Sequence, residues 1–334
     1  MGAQSESQDG VSLIVTVRDD PRGLAELLGA LAEQSEMPEE IVIVDGGTGA
    51  GTREEVQRWE QHLPPARVVA APGSNIATGR NIAVEAAAHD WIACTDAGCR
   101  PVAGWLAALK QARGRADIAA GTFVVEGDTP LDRAVACAHY PAIEELHDDD
   151  PLVALSHRLF GRDFRAVHAG GRSMAFSRAA WKDAGGFPEH VYAGEDLAFS
   201  AAAIARGFEP TLVEEAVVRW RPRATWAENA RMFATYTRGD VRTEGRGRHL
   251  ARLAAWTLGP ALMVKGGLAG RTLVAAGAGA YLWLPLRRGR RRLSTGELWR
   301  IPALVALKDL SQLAGAAMGV ADAARGVPQP SPHR

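Results

Sequence analysis

The sequence predicts an α/β protein: a Rossmann-like, mostly parallel sheet flanked by helices, with a helical, apolar C-terminal region after it. Three observations carry this. Short β-branched runs alternate with helical periodicity through residues 11–220. Successive strand-like runs end in an acid, where open parallel sheets collect their ligands. After about residue 250 the chain becomes rich in Ala, Leu and Gly and is divided by the basic run RRGRRR at 287–292.

The elements follow in order. VSLIVTV (11–17) is a β-branched run of the kind that forms a buried parallel strand. GLAELLGALAEQ (23–34) places apolar residues at helical spacing, and EEIVIVDGG (39–47) is a second strand ending in Asp45 and two glycines. ARVVAA (66–71), a helix over 78–88 and WIACTDAG (91–98) extend the β-α-β rhythm. The boundaries expected are a disordered 1–10, a ligand-binding half at 11–110, a second half at 111–245, the apolar helical region at 246–325 and a disordered tail at 326–334.

Composition sets broad limits. The chain has 334 residues, 47% of them hydrophobic and 23% charged, which is ordinary for a folded protein with a substantial core. A net charge of −1 gives no reason to expect nucleic acid as a partner. The three cysteines, Cys94, Cys99 and Cys137, form neither a CxxC pair nor a zinc spacing, so buried reduced thiols in a cytoplasmic setting are expected. The opening MGAQSESQDG is polar, so no secretory signal is expected.

The densest signal is APGSNIATGRN (71–81), which gathers turn-permitting Gly and Asn around one fixed cation, Arg80. An Asp after a strand is most often a turn former or a helix cap. Here Asp19 and Asp20, Asp45 and Asp96 all follow strands, and Arg80 lies between the last two in sequence. Such a set suits a nucleotide: Asp45 accepting from base or ribose, Arg80 pairing with a diphosphate, Asp96 holding a divalent cation. Neither GxGxxG nor GxxxxGK[ST] occurs, which disfavours a dinucleotide fold and a P-loop.

In six segments the chain resembles the family 2 glycosyltransferases, whose fold is GT-A. These are IVTVRDD (14–20), IVIVDGGTGAGT (41–52), GSNIATGRN (73–81), TDAGCRPVAGWL (95–106), GGRSMAFSRAAWKDAGGF (170–187) and GEDLAFSAAAIARGF (194–208), spread over about 11–245 in the family's order. The resemblance implies a nucleotide-diphosphate sugar donor and a glycan or lipid-linked acceptor. It further implies donor-binding roles for Asp19, Asp45, Asn75, Arg80, Asn81, Asp96, Gly171 and Arg172. Asp96 would be the ligand of a divalent cation, Mg2+ or Mn2+.

Two departures stand out. Where the family usually carries a second acid, this chain reads Asp96-Ala97-Gly98, and glycine offers no side-chain ligand. Where a histidine often follows, VVRWRPRAT (217–225) has Trp220, flanked by Arg219, Arg221 and Arg223. One carboxylate plus substrate phosphates still suffices for Mg2+, and the arginines can instead neutralise a leaving diphosphate.

Sugar transfer needs a base for the acceptor hydroxyl. Glu195 and Asp196 open an Ala-rich helix, where acids also favour the helix dipole for purely structural reasons. The resemblance assigns the base to this pair, with Asp196 as base and Glu195 orienting. GGRSMAFSR (170–178) reads equally as a ligand-approaching segment or a bulged strand. HDDDP (147–151) reads as an exposed loop in an acceptor region, and TYTRGDVRTEGRGRH (235–249), with Arg238, Arg242, Arg246 and Arg248, as a basic face or headgroup-facing loop.

In the C-terminal third TLVAAGAGAYLWLPL (272–286) has no charge but falls short of the about 20 residues a spanning helix needs. LARLAAWTLGPALMV (250–264) contains Arg252 and Pro260, and IPALVALKDLSQLAGAAMGVADA (301–323) contains Lys308 and Asp309. With Arg287, Arg288, Arg290, Arg291 and Arg292 following the most apolar run, interfacial or re-entrant helices on the anionic cytoplasmic leaflet are expected. A catalytically inactive sugar-nucleotide module is the main alternative, motivated by Gly98 and Trp220. A sugar-1-phosphate nucleotidyltransferase is the lesser one, since VTVRDDPRG is a faint match to its signature.

Overall fold

The computed structural model describes residues 10–49, 51–161, 163–191, 193–240 and 246–326. The expectations for residues 1–9, for 327–334, for Arg242 and for the side chains of Arg246 and Arg248 lie outside the described residues.

In chain order the first elements are β1 (Val11–Val17), α1 (Pro21–Ala32), β2 (Glu40–Asp45), α2 (Thr52–Trp59), β3 (Ala66–Ala70), α3 (Ile76–Ala86), β4 (Trp91–Asp96), β5 (Cys99–Pro101) and α4 (Trp105–Ala112). There follow β6 (Ile118–Val125), α5 (Pro130–His139), α6 (Pro151–Phe160), β7 (Met174–Ser177), α7 (Arg178–Ala184), α8 (Glu195–Ala205) and β8 (Pro210–Trp220). The chain ends in α9 (Trp226–Asp240), α10 (Arg246–Lys265), α11 (Gly267–Arg292) and α12 (Arg300–Ala324).

The chain divides into two compact units, the first made of residues up to Val124 with Phe164–Trp220, the second of Val125–Asp163 with the residues from Arg221 on. The expected boundaries at 110 and 245 are not where the units part. Residues 125–163 group with the C-terminal helices because α5 supplies one wall of their core.

The first unit is built on an eight-stranded sheet of order β3-β2-β1-β4-β7-β6-β8-β5. The pairs β1/β2, β1/β4 and β2/β3 are parallel, as the β-α-β rhythm predicts. The pairs β4/β7, β6/β7 and β5/β8 are antiparallel, so β7 runs against β4 and β6, which point the same way. Two helices, α5 and α6, lie between β6 and β7, and the Gly170–Ser173 turn leads directly into β7.

The helices flanking this sheet form for readable reasons. Asp20 caps α1 by accepting from the Gly23 amide at 2.8 Å, Pro21 opens it, and Leu24, Leu27, Leu28 and Leu31 bury one stripe against the sheet. Each such leucine contributes about 1.5–3 kcal/mol of transfer free energy. Trp105 and Leu106 of α4 pack on that same face, while Ala83 and Val84 of α3 and Phe199 of α8 cover the other. Both faces are thereby sealed, as a parallel sheet requires. Cys94, Cys99 and Cys137 are buried free thiols, as expected.

The second unit is helical. Ala134, Val135 and Ala138 of α5 pack with Ile301, Leu304 and Val305 of α12. Trp226 of α9 stacks on Trp299 at 6.2 Å. At Gly315 an added Cβ would lie 2.1 Å from the Ala234 carbonyl, so α12 runs against α9 only because this residue is glycine. Two sequence expectations are corrected here. The RRGRRR run is not a free basic face: Arg288 is buried and grips Glu145 with two nitrogens at 2.6 Å each, Arg287 meets Asp148 at 2.7 Å and Arg292 meets Glu144 at 2.7 Å. HDDDP is accordingly not a wholly exposed loop. Asp150 caps α6, and Asp148 answers Arg287. His157 adds a third contact to Glu145 at 2.9 Å.

Removing one member of a buried, hydrogen-bonded ion pair strands the other. Arg288→Met is therefore expected to destabilise the protein by about 3–5 kcal/mol in urea denaturation, whereas Arg290→Met, on an exposed side chain, stays within about 0.5 kcal/mol.

Candidate functional site

The carboxyl ends of β1, β2 and β4 lie side by side, since Val17 is in register with Asp45 and Thr16 with Asp96. This places the acids of three strands on one edge. Asp45 is 3% exposed. One oxygen accepts from the Gly47 amide at 2.8 Å, while Oδ2 has no hydrogen-bond partner among the described residues. That carboxylate lines a small cavity with Thr48, Arg53, Val68, Ala70 and Pro72. A buried acceptor left open beside a cavity is suited to an N–H donor from a ligand. Asp19 holds the rim: it has φ +48° and accepts from both the amide and the hydroxyl of Thr48 at 2.9 and 2.8 Å. Asp20 has the ordinary role of helix cap.

Arg80 organises the centre. It is 1% exposed, and its terminal nitrogens donate to Asp96 Oδ1 at 2.8 Å and to Glu195 Oε1 at 2.5 Å. Its guanidinium carbon lies 5.5 Å from the Phe187 ring centroid. Burial opposes this charge, but Asp96, Cys94, Glu195 and Asp196 around it more than offset that cost and push its pKa upward. Each terminal nitrogen gives one hydrogen bond to a carboxylate, and Nε has no hydrogen-bond partner among the described residues. Gly171 makes room for it: an added Cβ would lie 2.0 Å from Nη2.

The same turn reaches α8. The Gly171 amide donates to Asp196 Oδ2 at 2.8 Å, and the Leu197 amide to Oδ1 at 2.8 Å. Asp196 is thus held at the first turn of α8, half-buried, with lone pairs to spare. Glu195 beside it is buried. Desolvation, then Asp196, push its carboxyl up to about 7 against the pull of Arg80. Arg172 lies on the Trp220 ring at 4.5 Å and near Phe123 at 5.4 Å. Burial raises the Cys94 and Cys99 thiols to about 12 and about 11, which makes poor nucleophiles of both.

The side chains of Asn75 and Asn81 are hydrogen-bonded within the fold. Asn75 caps α3 through the Thr78 amide at 2.8 Å and donates to the Glu189 carbonyl. Asn81 accepts from the Trp181 indole and the Phe187 amide, and donates to the Phe187 carbonyl and Glu189. Its amide is saturated. Sequence reasoning missed Phe187, Arg53 and the Arg172–Trp220–Phe123 stack; GGF at 185–187 was the available signal for the first.

For a divalent cation the residues offer one carboxylate. Asp96 is 25% exposed at its side chain and gives one oxygen to Arg80. Among the described residues no group of three His, Cys, Asp or Glu could hold a metal. Gly98 has φ +85° and donates to the Gly23 carbonyl at 3.0 Å. A second acid there would carry the left-handed strain of about 1–2 kcal/mol. The set fits a cation that takes its remaining ligands from substrate phosphates. A larger cavity, of about 320 Å³, lies at the starts of β4 and β6 beside Trp91 and Asp117, away from these groups.

Residues 12–169 match the family model of glycosyl transferase family 2. A comparison with curated proteins finds no match. Among solved structures the chain is similar to the mannosyltransferase PcManGT from Pyrobaculum calidifontis in complex with GDP-Man and Mn2+, at TM-score 0.59 and 20% identity, over 91% of this chain and 86% of that one. It also aligns with S. aureus TarS 1–349 in complex with UDP-GlcNAc at TM-score 0.48 and 16% identity, over 95% and 92% of the two chains. The likeness to PcManGT is one of fold, and it is the GT-A fold.

The raised Glu195 carboxyl predicts a pH effect with a definite sign. Because it holds its proton more tightly in the folded chain, its contribution to stability falls as pH rises from about 4.5 to about 7, then stays level. Wild type should lose stability relative to Glu195→Gln across that window, measured by urea midpoints. A difference that is flat with pH contradicts the shift.

Proposed function

Because the chain carries a glycosyl transferase family 2 domain over residues 12–169, we propose that it moves a sugar from a nucleotide-diphosphate sugar to a glycan or lipid-linked acceptor, with inversion at the anomeric carbon. The observation that carries this reading is the convergence of Asp96, Glu195 and Asp196 around the buried Arg80, with Asp45 at the end of β2 on the same edge of the sheet.

The geometry supports a role for each residue. The open oxygen of Asp45 accepts an N–H of the base, in the cavity that Thr48 and Pro72 help line. Asp96 is the residue that would hold Mg2+ or Mn2+, which when bound supplies positive charge to the leaving diphosphate; PcManGT, similar in fold, was solved with GDP-Man and Mn2+. Arg172, aligned by Trp220, offers this chain's own cation to the same diphosphate. Asp19 keeps the Thr48 loop in place. Asp196 takes the proton of the acceptor hydroxyl as its oxygen bonds to the anomeric carbon and the bond to the nucleoside diphosphate breaks. The two backbone amides on Asp196 orient it for that transfer. Glu195 anchors Arg80 and the start of α8. The acceptor is met at the cytoplasmic face of a membrane with anionic lipids.

A catalytically inactive sugar-nucleotide module is the second reading, favoured by the left-handed Gly98 in place of an acid. Calorimetry with UDP, GDP, dTDP and CDP, each with Mn2+ and with chelator, and donor turnover with acceptor separate the two. Asp45→Ala is expected to weaken nucleotide binding by about tenfold or more, the cost of one lost charged hydrogen bond. Asp196→Asn should keep donor affinity within about twofold and lower transfer by at least about a hundredfold. A large loss of donor affinity in Asp196→Asn would refute its role as base, and binding without turnover in wild type would favour the inactive module.

A further inference from the structure

We infer that the hairpin of α10 and the first half of α11 is a membrane-docking element that lies in the headgroup–acyl boundary of an anionic leaflet. The inference rests on the second unit and is independent of the donor site; it names the part of the chain that would bring that site to a lipid surface.

The arms are apolar and exposed together. Residues 253–264 and 272–286 contain no charge, yet Leu253, Leu258, Val264, Leu268 and Leu273 are all exposed. A helix apolar over this length is normally buried on at least one face. The turn between the arms is built: a Cβ at Gly266 or Gly270 would strike the Leu262 carbonyl at 2.5 or 2.7 Å, and Arg271 donates to the Met263 carbonyl at 3.1 Å. The root is built as well. Asp309 of α12, nearly buried, is met by Arg252 at 3.2 Å, by the Trp256 indole at 3.4 Å and by the Tyr281 hydroxyl at 3.1 Å.

Charge selects the partner. From Arg246 to Gly296 there is no Asp or Glu, against nine arginines and one lysine. Two of these cations, Lys265 and Arg271, sit at the tip, and exposed Arg290 and Arg291 follow the root. Such a segment complements an anionic surface. Its arms are too short to span a bilayer, and cations at the tip are costly at the bilayer centre. Lying in the interface, with cations among headgroups and leucines below, satisfies both. Aromatic Trp256, Tyr281 and Trp283 at the root are the residue types favoured at that depth. Hydropathy alone selects a different helix, Thr295–Ala324. That segment is largely α12, whose Ile301, Leu304 and Val305 are buried in the core of the second unit.

The test uses the full chain and sedimentation with vesicles of phosphatidylcholine, with and without about a third phosphatidylglycerol. Wild type is expected to bind the anionic vesicles at least about tenfold more tightly than the neutral ones. The double variant Val264→Glu, Leu268→Glu alters side chains that are 76% and 83% exposed, so it should fold, bind nucleotide as wild type does, and lose about tenfold in vesicle affinity. Wild type remaining in solution with both vesicles overturns the inference, as does a double variant that binds like wild type. A lipid-free dimer split by the same variant would overturn it too, by giving the face to a second copy of the chain. Loss of nucleotide binding by wild type would bear on the donor site alone.

Discussion

A guanidinium buried to 1% exposure needs anionic partners, and that requirement at Arg80, whose two terminal nitrogens both meet carboxylates, shapes the first unit. Asp96 comes from the end of β4 and Glu195 from the first turn of α8, 115 residues along the chain from Arg80. Satisfying one cation therefore ties α3, β4 and α8 together at the sheet edge. Gly171 is forced by the same packing, and through its amide the position of Asp196 is set. The acids of the site are not merely neighbours: a single buried charge arranges them. Glu195 stays near the edge of ionisation because burial and Asp196 oppose Arg80.

This arrangement explains what the sequence could and could not reveal. β1 to β4 and α1 and α3 were legible within two residues or so, because apolar periodicity and caps such as Asp20 are local. Asp45 was legible as an acid at the end of a parallel strand, because the β-branched run before it marks that end locally. The working partners of Arg80 were not, since no local pattern records a contact spanning 115 residues. The structural partners of Asn75 and Asn81 were hidden for a related reason. Their carboxamides suit a turn, a cap or a ligand equally, and the segment at 187–189 that claims them lies over a hundred residues away. Gly98 reads as a missing metal ligand in sequence, while in the fold its left-handed backbone shows a tight turn that an acid would strain.

The C-terminal region teaches the same lesson with charge. RRGRRR looks like a leaflet-facing patch when read alone, yet three of its arginines answer Glu144, Glu145 and Asp148, some 139 to 148 residues earlier. Hydropathy windows average over the faces of a helix, so they favour α12, whose Ile301, Leu304 and Val305 are already covered. The hairpin before it is not selected by such a window, but it leaves its leucines uncovered. Burial, not composition, separates an internal helix from one that waits for a partner.

The central claim is that one buried cation assembles the site, and a double-mutant cycle on its partners tests it most directly. Equilibrium unfolding would be measured for wild type, Arg80→Met, Glu195→Gln and the double variant. The account predicts that Arg80→Met costs about 3–5 kcal/mol and that adding Glu195→Gln recovers about 1 kcal/mol or more, because a stranded carboxylate is removed. Arg80→Met with little loss, or costs that simply add, would contradict it.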